Sequence, residues 1–179
     1  VGQRQDLRSI FQVVVRTLED RLPADFVCIG SYDPVTNAVT VNHVGTNSAA
    51  LGRELGIDEA AVIAVDANGL GRCVRGALVY EPDLAAVDYP FAQRLAGRGL
   101  RSLVISPLMI ERDTFGVLVA ARRNERAFNS ADCEFLRQLG QHVALASHQV
   151  QLRGSLESAY DDLKHTQQAA LQQERLRAL

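Results

Sequence analysis

Apolar residues recur at helical spacing at Leu7, Ile10, Phe11, Val14, Leu18 and Leu22, with Arg4, Arg8, Arg16 and Glu19 mostly between them. Positions three and four apart share one side of a helix. The stretch therefore predicts an amphipathic helix that Pro23 ends. From Ala24 to Tyr32 the chain is rich in β-formers and reads as a strand. Asp33-Pro34-Val35-Thr36-Asn37 is turn chemistry, with Asp first and Pro second. Ala38 to Val44 alternates, so the pair reads as a hairpin.

The middle is less regular. A short helix is expected near Ser48 to Leu55, a strand over Ala60 to Val65, and one to two helical turns over Leu70 to Arg75, closed by Gly76. Ala77 to Glu81 reads as a strand stopped by Pro82, and Phe91 to Ala96 as a short helix. Arg101 to Ile110 and Thr114 to Ala121 form a second hairpin. Asn129 or Ser130 caps a last helix, with Asp132 and Glu134 in its first turn. Phe135, Leu136, Leu139, Val143 and Ala146 mark its expected buried face. The order is helix, hairpin, irregular middle, hairpin, helix: an α+β antiparallel pattern, not alternating βαβ.

Ala24-Asp25-Phe26-Val27, Gly69-Leu70-Gly71-Arg72, and Arg101-Ser102-Leu103 through Gly116-Val117-Leu118-Val119 occur in this order along the chain. Together they resemble a GAF domain, a PAS-related sensory module. A glycine inside a strand such as Gly116 allows close backbone approach or a bulge. The resemblance covers roughly Leu7 to Val150. It implies an antiparallel sheet of five or six strands, with the N- and C-terminal helices on one face. The irregular middle would cover the other face and enclose any ligand. The Asn-Lys…Phe-Asp-Glu signature of cyclic-nucleotide members is missing. Cys73 lies between Arg72 and Val74 with no adjacent histidine, so a covalent bilin is not expected.

Composition narrows the function. Hydrophobic residues make up 47% and charged residues 22%, an ordinary globular balance. The formal charge of −2 comes with scattered cations, so no nucleic-acid partner is expected. No apolar run approaches the roughly 20 residues that span a bilayer, so no membrane contact is expected of this segment. Cys28, Cys73 and Cys133 are widely spaced and form no C-x-x-C pair. A reducing cytoplasm fits them best. The chain is expected to be a piece of a longer protein.

No nucleotide loop, G-x-S-x-G or H-E-x-x-H occurs, and Gly69-x-Gly71 lacks a third glycine. No catalytic residue, metal ligand or cofactor is assigned. His43, His142, His148 and His165 include no pair four apart on one helix. His43 as a haem ligand has no supporting motif. The flanking Arg72 and Arg75 raise the question of a lowered Cys73 pKa and a redox role. Tyr80, Tyr89, Phe91, Arg94, Arg101 and Cys73 are the candidate ligand residues, because aromatics beside arginines suit a small planar or anionic ligand. The plainer reading is that the aromatics complete the core and the arginines lie at the surface.

Beyond Val150 the helical pattern continues. Leu152, Leu156, Ala159, Leu163, Thr166 and Ala170 follow the 4-3-4-3-4 spacing of a coiled-coil seam. Leu171, with Ala178 or Leu179, starts a second phase, and such a shift alters coiled-coil winding. The ending Gln172-Gln173-Glu174-Arg175-Leu176-Arg177-Ala178-Leu179 resembles the linker into a histidine-kinase dimerisation helix. The expected organisation is a GAF sensor domain over 1–150 and a signalling helix over 151–179. Leu152, Leu156, Ala159 and Leu163 would form a homodimer interface leading to a downstream kinase domain. The alternatives are a dimerisation module with a filled core, or a GAF regulator of a diguanylate cyclase or transcription activator.

Overall fold

The structure, a computed structural model, describes residues 2–179. The first helix, α1 (Gly2–Arg21), leads into the hairpin β1 (Phe26–Asp33) and β2 (Ala38–Val44). A 3-10 turn and α2 (Ala49–Leu55) follow, then β3 (Val62–Ala64), α3 (Leu70–Val74), β4 (Val79–Glu81) and α4 (Pro90–Ala96). The second hairpin, β5 (Ser102–Ile110) and β6 (Asp113–Arg122), precedes the 48-residue α5 (Ser130–Arg177). The strands form one six-stranded sheet in the order β3-β2-β1-β6-β5-β4. Every neighbouring pair is antiparallel. The expected α+β architecture is thus the one observed.

Strand alternation divides the core into two layers. Phe26, Cys28, Val39, Val41, Leu103, Ile105, Val117 and Val119 face α2, α3 and α4. Val27, Ile29, Val104, Leu118 and Ala120 face α1 and α5, meeting Phe11, Val15, Leu18, Leu136 and Val143. Each buried leucine or valine contributes roughly 1.5–3 kcal/mol. Both terminal helices therefore lie on one face and the irregular middle on the other.

Asn129 caps α5: its side chain accepts from the Asp132 N–H at 2.8 Å, and the Asp132 carboxylate accepts from the Asn129 N–H at 3.0 Å. The helix turns a slightly different side inward than apolar spacing predicts. Leu136, Gly140, Val143, Ala144 and Ser147 are its buried residues, while Phe135, Leu139 and Ala146 are only half-buried. Gly140 explains the rotation. A methyl group there would lie 3.2 Å from the Pro107 carbonyl oxygen, so its absence lets α5 approach β5 closely. Past Val150 every residue except Gly154 is exposed. At Gly154 the helix meets the Gln3 side chain of α1, whose end a larger residue would displace.

Candidate functional site

The segment from Asp66 to Arg101 closes one face of the sheet. Asp66 organises its start, accepting at Oδ1 from the Asn68 N–H at 2.9 Å and the Gly69 N–H at 2.6 Å. The glycines that follow answer to close contacts. A methyl group on Gly69 would lie 2.2 Å from the Tyr89 ring, and one on Gly71 would lie 2.1 Å from the Asp66 carbonyl oxygen. Arg72 reaches back to the Asn68 carbonyl and across to the buried Glu81 carboxylate.

Two buried polar atoms on this face have no hydrogen-bond partner: the Tyr89 hydroxyl and Asp66 Oδ2. Tyr89 is 4% exposed. Burial, then the charge of Glu81, pushes its phenol well above the ordinary range; Arg72 opposes the shift and Asp66 adds to it. The neutral hydroxyl thus faces the Glu81 carboxylate, with no hydrogen bond of good geometry completed. A buried polar group left unsatisfied costs about 1–3 kcal/mol.

The candidate ligand residues separate into distinct places. Cys73, Tyr89 and Phe91 are buried together in the layer between the sheet and α2–α4. Arg94 is held by the Leu55 carbonyl at 2.7 Å and the Gly56 carbonyl at 3.1 Å, closing the end of α2. Arg101 bridges Asp83 at 3.1 Å and Glu125 at 2.5 Å. Tyr80 lies on the opposite face, half-buried, its ring edge-on to Phe128 with centroids 6.5 Å apart. Register decides this: Val79 and Glu81 turn toward α3, so Tyr80 between them turns toward α5.

The arginines beside Cys73 do not activate it. Arg72 is engaged with Glu81, Arg75 donates to the Ala67 carbonyl at 3.2 Å, and burial pushes the Cys73 thiol up to about 12. Burial pushes Cys28 to about 12 as well. Cys133 is also raised, by burial and then by Asp132, despite its place in the first turn of α5. His43 meets Glu59, its Nδ1 3.0 Å from a carboxylate oxygen. Among the described residues no group of three or more His, Cys, Asp or Glu is placed to hold a metal ion. Among the described residues no helix is long and apolar enough to cross a membrane.

Asp66, with its unpartnered Oδ2, and the buried Glu81 escape a reading by residue type. Their only sequence signals are an Asp two residues before Asn-Gly and a lone acid closing the apolar run Ala77-Leu78-Val79-Tyr80.

A sequence profile of the GAF domain matches residues 4–148. The chain belongs to the GAF domain family. No match is found among curated proteins. Solved GAF domains share the architecture. The blue-light absorbing form of the PixJ GAF domain from Thermosynechococcus elongatus superposes with a TM-score of 0.71 at 18% identity, covering 92% of this chain and 96% of that one. The GAF domain of a two-component sensor histidine kinase from Bacillus halodurans gives 0.65 at 20% identity, over 82% and 96% of the chains. Free methionine-R-sulfoxide reductase from Neisseria meningitidis, solved with its substrate, gives 0.67 at 16% identity, over 83% and 81%. At these identities the likeness concerns the fold.

Proposed function

We propose that residues 1–150 are a sensory GAF domain and residues 151–179 the signalling helix that carries its state to a downstream histidine-kinase core. The observation that carries this reading is the continuity of α5. One unbroken helix is packed against the sheet from Leu136 to Ser147 and then runs on exposed. At roughly 1.5 Å per residue its 48 residues extend about 72 Å, far past the domain. A shift or rotation at the sheet therefore reappears at the far end. Leu156 is 71% exposed and Leu163 57%. Together with Leu152 and Ala159 they suit a parallel homodimer, which delivers two helices side by side to one kinase core. Sensor histidine kinases among the structural relatives support this output.

A small-molecule ligand would lie between the sheet and residues 66–101, where the Tyr89 hydroxyl and Asp66 Oδ2 offer unfilled hydrogen bonds. The densely packed apolar layer around Phe91, Leu95 and Leu100 favours a second reading, a dimerisation module with a filled core. A thiol-based reductase is disfavoured, because burial pushes Cys28 and Cys73 up to about 12 and raises the half-buried Cys133 as well.

The output reading is tested by joining residues 1–179 to a histidine-kinase core with insertions at the junction. Autophosphorylation is expected to change with three or four added residues and to recover with seven, the heptad period. Activity indifferent to insertion length would exclude transmission through α5.

A further inference from the structure

The face of the sheet beneath α1 and α5 changes character along its length. Val27 and Ile29 give way to Ser31 on β1, and β2 carries Thr40 and Asn42 there. Aliphatic residues belong at such positions in a two-layer core, since polar groups cost free energy when removed from water unpaired. Above them stands an open cleft of about 650 Å³ between α1 and α5.

Two bulges aim side chains into this cleft. The β1–β2 register steps from Ile29↔His43 to Gly30↔Val41, leaving Asn42 as the extra residue. The β5–β6 register steps from Leu108↔Gly116 to Met109↔Thr114, leaving Phe115 as the extra residue. Both line the cleft. Bulges re-aim side chains and are frequent beside functional sites; here two separate strands direct theirs to one place. The Ser31 hydroxyl donates to Asn42 Oδ1 at 2.6 Å, which fixes the amide and leaves its N–H groups free to donate. Across the cleft, Ser147 of α5 is 1% exposed and its hydroxyl has no partner.

Charge and shape define the ligand. Arg4 and Arg8 of α1 stand at the rim, with Leu7 and Phe11 forming an apolar wall opposite Phe115. Glu59 also reaches the rim, but it already faces Arg8 at 3.5 Å and His43 at 3.0 Å. Arg4 has no ion-pair partner among the described residues. We infer that the cleft between α1 and α5 binds a small carboxylate with a compact apolar body. Its anionic head meets Arg4 and the Asn42 amide, and its body lies between Phe11 and Phe115. Gln151, the first residue of the exposed tail, closes one side. An occupant wedges α1 from α5 where the helix leaves the domain. This site is on the opposite face of the sheet from the Tyr89 layer and does not depend on that reading.

The test is titration of the isotope-labelled full chain with 3-phenylpropionate, followed by amide chemical shifts, beside its neutral analogue 3-phenylpropanamide. Saturable shifts are expected at residues 4–11, 31, 40–42, 115 and 147–151. The amide and the Arg4→Glu variant should each bind about tenfold more weakly, the loss of one charge-assisted contact, and Arg4→Lys should retain most of the affinity. Arg4 is exposed, so these variants leave the fold intact. Asn42→Leu, checked for folding by circular dichroism, should abolish binding. Absence of saturable shifts, equal binding of the amide, or indifference to Arg4→Glu would overturn the site. Shifts confined to residues 66–101 would overturn it too, while leaving the ligand reading of the Tyr89 layer standing.

Discussion

Tyr89 and the two buried thiols show how far side-chain chemistry here is set by burial. The Tyr89 hydroxyl is buried without a partner, so Tyr89→Phe removes an unmet polar group while keeping the ring against Gly69. Urea unfolding should show stability unchanged or raised by about 1 kcal/mol. A loss of more than that would mean the hydroxyl is paired. Cys28 and Cys73 have thiols raised to about 12 from an ordinary 9.0. The folded state thus keeps protons that the unfolded chain releases. Their contribution is complete below pH 9 and declines as pH rises toward 12, by up to about 1.4 kcal/mol per pH unit for each thiol. Stability should fall between pH 9 and 11, and Cys28→Ala with Cys73→Ala should flatten that fall. In native protein at pH 8, alkylation should modify Cys133 alone. Rapid reaction of all three thiols would contradict the burial argument.

At the scale of elements, much of the fold was legible. The two hairpins, the terminal helices and the Asn129 cap follow from period and turn chemistry, and β2 occupies the residues that alternation marks. What could not be read is orientation. Tyr80 and Tyr89 look equivalent in sequence. Yet β4 is three residues long, and only its pairing of Val79 with Ile105 decides which side Tyr80 faces. The extra residues Asn42 and Phe115 are equally hidden, because a bulge is a property of two strands in register. The inward side of α5 depends on Gly140 and Ser147, which carry no hydrophobic signal. The cap itself gives a direct test. Asn129→Ala removes one half of a reciprocal pair and should lower stability by about 1 kcal/mol in thermal or urea unfolding. No change would mean that packing alone fixes the start of α5.

For the whole molecule, the sheet and its two layers form a self-contained domain, and α5 alone leads away from it. Leu145, 58% exposed, sits seven residues before Leu152, so the exposed stripe begins while the helix still lies on the sheet. Leu152, Leu156 and Leu163 continue it with nothing in their own chain to cover them. A second helix in parallel would bury each leucine for roughly 1.5–3 kcal/mol. The measurement that tests this most directly is oxidative cross-linking of Leu156→Cys and Leu163→Cys, made separately in a Cys133→Ala background, beside sedimentation of the unmodified chain. In a parallel pair, equal positions of the seam face each other within disulfide reach. A dimer by sedimentation, with both variants linked as covalent dimers, is the predicted result. A monomeric chain, or cross-linking at only one of the two positions as in an antiparallel pair, would contradict the account.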